Sequence, residues 1–183
     1  MRILWTSLKF LIVMSILTGI LYPLIITGIG KAMFDSKAKG SLIIENGKVV
    51  GSELIAQSFS KPEYFRPRPS INNFETMPSS ASNLGPTSKT LEENVTSRRG
   101  NSENDNEMLF TSASGLDPHI SPDSAIRQLP RILKARQLSE DQLENLNQLV
   151  YKFTEDRTFG IFGERRVNVL MLNIALDKFA GKN

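Results

Sequence analysis

From Phe10 to Ile29 the chain runs without a charged side chain, interrupted only by the hydroxyls of Ser15, Thr18 and Thr27. At a helical rise of about 1.5 Å per residue this apolar run spans roughly 30 Å, the thickness of a bilayer's hydrocarbon layer, and predicts a transmembrane helix. Lys9 and Lys31 bracket it, and Trp5 and Tyr22 are rings of the kind that sit near headgroups. Pro23 lies inside the run, where a spanning helix tolerates it if neighbouring helices or hydroxyls satisfy the freed carbonyl, so the pattern predicts a kinked helix beside partner helices. Ser15 and Gly19 place two small residues on one face, where another backbone can approach closely. Ser15, Gly19, Tyr22 and Pro23 are therefore the candidate contacts of the anchor. The alternative is a cleaved secretory signal with Gly28-Ile29-Gly30 as its exit. Such signals have apolar centres of about 7 to 15 residues, and the length of this run together with Pro23 favours a retained anchor.

Past the anchor the pattern changes. Ser41-Leu42-Ile43-Ile44 and Lys48-Val49-Val50 are β-rich runs joined by Glu45-Asn46-Gly47, a hairpin signal because Asn-Gly accepts positive φ. Residues 51–59 are read as a possible third strand. Lys61 to Ser70 concentrates Pro62, Pro67 and Pro69 with Tyr64, Phe65, Arg66 and Arg68. That density forbids helix and favours an extended path, which either caps the core of the domain or presents Tyr64 and Phe65 as docking rings. From 70 to about 108 the chain turns polar and reads as a mobile loop with one short helix after Gly85-Pro86-Thr87-Ser88, Leu91 and Val95 facing inward. Ser121-Pro122 opens a helix to about Arg136, bent by Pro130, and Ser139 with Gln142 forms a capping box. Leu143, Leu146, Leu149, Val150 and Phe153 form a buried stripe, and Val167, Leu170, Met171, Ile174 and Phe179 recur at a helical period that is preferred over a buried strand.

The predicted architecture is therefore α+β: an anchor over 1–34, with its span at about 10–29, and one mixed α/β domain over 35–183 that opens with a β-hairpin and closes with helices. Composition adds three limits. The chain carries a net charge of +3, but the first forty residues alone hold a surplus of four positives, so the domain is slightly acidic and offers no basic field for nucleic acid. About 140 residues beyond the anchor suffice for one core. The chain has no cysteine, which excludes disulfides and thiolate metal sites without identifying the compartment. Lys31, Lys37, Lys39 and Lys48 outnumber Arg2 and Lys9, and the positive-inside rule counted alone would place the domain in the cytoplasm.

Catalytic chemistry is scarce. His119 is the single histidine, so neither a histidine metal cluster nor a Ser-His-Asp arrangement can be assembled from this chain. Gly30-Lys31 and Gly47-Lys48 lack the glycine spacing of a phosphate loop. Asp117-Pro118-His119 reads as a turn before a helix, its imidazole capping or packing. No catalytic residue and no metal ligand is assigned, and the chain is not expected to be an enzyme by itself.

Leu21-Tyr22-Pro23-Leu24, Gly51-Ser52 with Leu54-Ile55 and Gln57, Tyr64-Phe65 with Arg68-Pro69-Ser70, Asn83 to Pro86, Ser114 to Ser121, and Gly163-Glu164 with Arg166 to Leu170 and Leu172-Asn173 together resemble the C subunit of the Kdp-type potassium-transporting P-type ATPase (the KdpC family). The blocks span nearly the whole chain. Ala56, Arg165 and Phe110 depart from the family's pattern. The resemblance implies a single-pass accessory subunit of an ATP-driven potassium uptake complex in a bacterial cytoplasmic (inner) membrane. Its partners would be a channel-like potassium-binding subunit, the P-type ATPase subunit and the bilayer, and it would assemble the complex and raise the ATPase subunit's affinity for ATP. It also implies that the domain is extracytoplasmic, against the lysine count; long domains translocate largely regardless of charge. No cofactor is then the chain's own, and ATP would be shared with, or act through, the ATPase subunit. Gln128, in the helix after Ser121, is a candidate nucleotide contact, with a solvated helix face as the alternative and sufficient explanation. The competing reading is a stand-alone, membrane-tethered extracytoplasmic binding module.

Overall fold

The computed structural model describes residues 1–77, 79–100, 106–179 and 181. Pro78 and residues 101–105, which belong to the expected polar loop, lie outside the described residues. The chain divides into two compact units, Met1–Leu42 and Ile43–Asn183.

The first unit is one helical rod, Arg2–Met33, built from α1 (Arg2–Ile16), a π-helical turn (Leu17–Leu21) and α2 (Tyr22–Met33), and followed by the single turn α3 (Asp35–Ala38). The π turn has an identifiable cause. Pro23 has no N–H to give to the Gly19 carbonyl, and its ring crowds that oxygen. The ladder widens just before it, and the Tyr22 N–H donates to the Leu17 carbonyl five residues back. A wide turn inserts one residue into the helical repeat, and it is the local departure from the α-helical ladder that the proline produces. Pro23→Ala is expected to close the turn and rotate residues 8–16 by about 100° relative to α2, one residue's worth of helix. A spin-label scan of lipid accessibility through 8–16, in a chain free of native thiols, checks this as a one-residue change of phase.

In the second unit β1 (Leu42–Glu45) and β2 (Lys48–Ser52) form the expected hairpin. Its turn residues Asn46 and Gly47 hold φ of +52° and +75°, the left-handed pair that a type I′ turn requires. The expected third strand is absent: β2 ends at Ser52, whose hydroxyl accepts the Leu54 N–H, and the chain turns away. In the polar segment α4 (Lys89–Arg99) begins where Ser88 accepts the Leu91 N–H, and α5 (Asn106–Leu109) buries Met108 and Leu109. The rest of that segment crosses Gly115, where an added Cβ would stand 3.1 Å from the Ser80 carbonyl oxygen at a φ of +70°. The close approach requires glycine there.

The core forms around a three-stranded antiparallel sheet, ordered β3 (His119–Ile120), β5 (Arg166–Asn168), β4 (Thr154–Glu155), packed on three helices. Ser121 caps α6 (Pro122–Arg136) by accepting the Ser124 N–H at 3.1 Å, with Pro122 in the first turn. Ser139 and Gln142 close both halves of the capping box, but the turn they open, Glu140–Gln142, is 3₁₀, and α7 (Leu143–Lys152) starts only at Leu143. Of the expected stripe Leu146 and Val150 are fully buried and Leu149 and Phe153 partly buried, but Leu143, at the first turn of α7, is 37% exposed and lies outside the core. The C-terminal segment differs from the expected helix. Val167 belongs to β5, paired with Ile120 and Thr154, and only then does Asn168 accept the Met171 N–H and start α8 (Val169–Phe179). The switch moves the inward face to Val169, Leu172, Asn173 and Leu176, leaving Met171 and Ile174 half-exposed.

Candidate functional site

The proline-rich segment is held against α6 and α8 by four long polar side chains. Phe65 is fully buried in the core. Its N–H donates to Asn173 Oδ1 at 2.8 Å, and its carbonyl accepts from Asn173 Nδ2 at 2.9 Å. One residue on, the Arg66 N–H donates to Gln128 Oε1 at 2.8 Å, and the Arg66 carbonyl accepts from Gln128 Nε2 at 3.1 Å. Each side-chain amide thus takes the place of a neighbouring strand's peptide. The geometry matters because buried backbone polar groups must be paired, and prolines on either side leave this strap no sheet to join. Arg131 adds donors to the carbonyls of Tyr64, at 2.9 Å, and of Pro62, and its second nitrogen reaches Gln128 Oε1.

Tyr64 sits at the strap's edge, half-buried. Its hydroxyl donates to Asp177 Oδ2 at 3.0 Å, Arg136 donates to Asp177 Oδ1 at 2.7 Å, and the Arg136 guanidinium lies 5.1 Å from the centre of the Tyr64 ring. Burial, and then the hydrogen bond to Asp177, push the Tyr64 hydroxyl above its ordinary pKa. Arg136 also donates to the Glu63 carbonyl at 2.9 Å.

These contacts choose between the two alternatives for the strap and change the reading of Gln128. Phe65 is no docking ring, because its side chain is an interior group of the domain; the strap caps its own core. Gln128 is no solvated helix residue: it is 2% exposed, and its oxygen and nitrogen are both engaged, so no polar atom of the amide is turned toward a nucleotide. The clamp residue Asn173 escaped the sequence reading as a site, although a signal was present: an amide on the face that carries Leu172 and Leu176 must find a buried partner.

A second feature is a polar cleft of about 880 Å³, lined among others by Glu107, Asp117, His119, Tyr151 and Arg165. Its polar groups largely satisfy one another. Glu107 accepts the Ser121 N–H at 3.1 and 3.2 Å and the Ser124 hydroxyl at 3.2 Å, occupying the N-terminus of α6. Asp117 Oδ1 accepts the His119 N–H at 3.0 Å and lies 3.4 Å from His119 Nδ1, with Arg68 at 3.9 Å from its other oxygen. The imidazole therefore has the local, packing role expected of it. Among the described residues no three His, Cys, Asp or Glu side chains are grouped as a metal site.

The His119 side-chain hydrogen bond, ahead of the opposing effect of burial, holds the Asp117 carboxyl below its reference value of 3.8. A depressed carboxyl contributes stability that is present above the unfolded value and is lost as the pH falls through the folded one. With the side chain 36% exposed, solvent screens much of the effect. Asp117→Asn is expected to flatten the loss of thermal midpoint below about pH 4, a modest change read from melting curves between neutral and acid pH.

In the first unit Ser15, Gly19, Tyr22 and Pro23 are all exposed on the isolated chain. Nothing lies within 4 Å of a Cβ added to Gly19, so its own helix does not require the small residue.

Comparison with known proteins completes the picture. Residues 4–178 match the family model described as "K+-transporting ATPase, c chain". The chain is 42% identical to the "Potassium-transporting ATPase KdpC subunit" of Leptospira interrogans over 99% of this chain and 96% of that relative. It is 43% identical to the protein of that name from Myxococcus xanthus, over 96% and 88%. With the one from Methylobacterium nodulans it shares 45% identity, over 93% and 94%.

Proposed function

Because the chain belongs to the family of K+-transporting ATPase C chains, the KdpC subunits, we propose that it is the single-pass accessory subunit of a potassium uptake complex. In this reading it assembles and stabilises that complex and catalyses nothing alone. The observation that carries the reading is the joining of one helix long and apolar enough to span a membrane to a domain in which Gln128 and Asn173 are spent on holding the strap. The helix docks sideways on a channel-like potassium-binding subunit through the face carrying Ser15 and Gly19, with Tyr22 and Pro23 at the wide turn. The folded domain lies outside the bacterial inner membrane, and the P-type ATPase subunit supplies the catalytic chemistry.

With Gln128 committed to the strap and ATP on the other side of the membrane, an effect on nucleotide affinity passes through the spanning helices as a coupling free energy. Couplings of this kind are about 1–3 kcal/mol, so the subunit lowers the ATPase subunit's apparent Kd for ATP by roughly 5- to 150-fold. The test is to purify the complex with and without this chain. Loss of assembly and of potassium-stimulated ATP hydrolysis is expected; normal assembly and hydrolysis without the chain would refute the reading, and a detergent-stable chain with no multi-span partner would favour a stand-alone tethered module. Protease accessibility of the domain in sealed, right-side-out vesicles tests its side of the membrane.

A further inference from the structure

The β4–β5 hairpin continues beyond its paired residues as a charged stalk. Extending the register that sets Thr154 opposite Val167 and Glu155 opposite Arg166 puts Asp156 opposite Arg165 and Arg157 opposite Glu164. Every one of these charged rungs is closed by an ion pair: Glu155 with Arg166 at 2.7 Å, Asp156 with Arg165 at 3.1 Å, Arg157 with Glu164 at 2.8 Å. Above the ladder Thr158 and Phe162 exchange backbone hydrogen bonds at 2.9 and 3.0 Å. Gly163, at a φ of +82°, is the extra residue that shifts the register by one. The tip then turns through Phe159 at +55° and Gly160 at +74°.

Three large apolar side chains stand on this tip, Phe159 at 89% exposure, Ile161 at 72% and Phe162 at 65%. A left-handed φ is unfavourable for a bulky non-glycine residue and points to a functional constraint where it persists. Phe159 holds that φ at the turn of the tip, with its ring in solvent. We infer that the tip is a docking knob for an apolar socket on another protein chain of the transport complex, an inference that rests on the subunit reading above.

The charges of the stalk favour a protein socket over lipid. Its three acids and three bases cancel, and each arginine already has a carboxylate partner. Anionic bilayers attract surplus Lys and Arg, and this stalk carries no surplus: Asp156 and Glu164 travel with Arg165 and Arg157, already neutralised. A protein interface has the anatomy seen here, an apolar aromatic centre inside a polar rim. The cleft beside the stalk is lined by the stalk's own Asp156, Arg157, Glu164 and Arg165 together with Glu107 and Asp117, polar walls that offer the apolar tip of a second copy no socket.

The absence of cysteine makes the test direct. Ile161→Cys, labelled with a photoreactive benzophenone in the assembled complex, is expected to crosslink to a different subunit; Glu93→Cys, on the exposed face of α4, serves as the control and is expected not to. Crosslinks only to lipid, only to a second copy, or to nothing, in a complex that still co-purifies, overturn the inference and leave the subunit reading intact. Failure of the unaltered chain to co-purify with any other chain refutes the subunit reading itself. The double substitution Phe159→Ser with Phe162→Ser is expected to lower partner recovery by about tenfold or more at an unchanged thermal midpoint; undiminished recovery overturns the knob.

Discussion

Phe65→Ala is expected to destabilise the domain by about 3–5 kcal/mol, the cost of emptying a buried aromatic site that collapses only in part. Phe65 is fully buried and packs in the cluster that includes Ile120, Leu129, Leu172 and Leu176. Domains of this size have a net stability of about 5–15 kcal/mol, so the loss is a large share of the total, and the thermal midpoint should fall by about 10 °C or more. Near-ultraviolet circular dichroism of the full chain in detergent checks it. The informative comparison is Phe159→Ala, at a ring 89% exposed, which should stay within about 0.5 kcal/mol of the parent. The two phenylalanines separate fold from docking. If Phe65→Ala instead left the midpoint unchanged while abolishing partner recovery, the strap would be a docking surface after all and the core assignment would be wrong.

This contrast shows where the sequence was readable. Signals contained within a few residues were legible: Asn46-Gly47 sets its own turn, Ser121-Pro122 its own helix start, and Ser139 with Gln142 its own box, because each acts through bonds to residues at most four away. Val167 was misread because a three-residue strand has too few positions to show a period of two, and its partners Ile120 and Thr154 come from distant parts of the chain. The strap was half legible. Its prolines declare an extended path and leave open whether Phe65 faces in or out, because the residue that draws it inward is Asn173, 108 positions later. Arg131 and Arg136 prove to hold the strap's carbonyls. The knob at Phe159 was passed over because apolar residues in a glycine-rich stretch carry no periodicity to decide whether they face in or out.

The clamp yields the second large effect. Asn173→Leu keeps the approximate volume but removes both partners of the Phe65 peptide, leaving its N–H and C=O unpaired in the interior. At about 1–3 kcal/mol for each stranded group, the loss of two is about 2–6 kcal/mol. Asn173→Asp makes a sharper test, because the acceptor for the Phe65 N–H remains while the donor to the Phe65 carbonyl becomes a second oxygen. Burial and that carbonyl both disfavour the carboxylate, so its folded pKa rises above the unfolded one. Stability is then retained below the unfolded pKa and lost as the pH rises through the folded value. Acidification from pH 7 to pH 5 is therefore expected to recover part of the thermal midpoint of Asn173→Asp and none of that of Asn173→Leu. Combining Asn173→Leu with Gln128→Leu should cost less than the two losses added, with a coupling of about 0.5–3 kcal/mol. The two amides hold consecutive residues of one strap and share the peptide group between them, and once either lets go, the other holds a segment that is already leaving the core. Strict additivity in that cycle would mean that the two peptides are held independently, and that the strap does not come away from α6 and α8 as one piece.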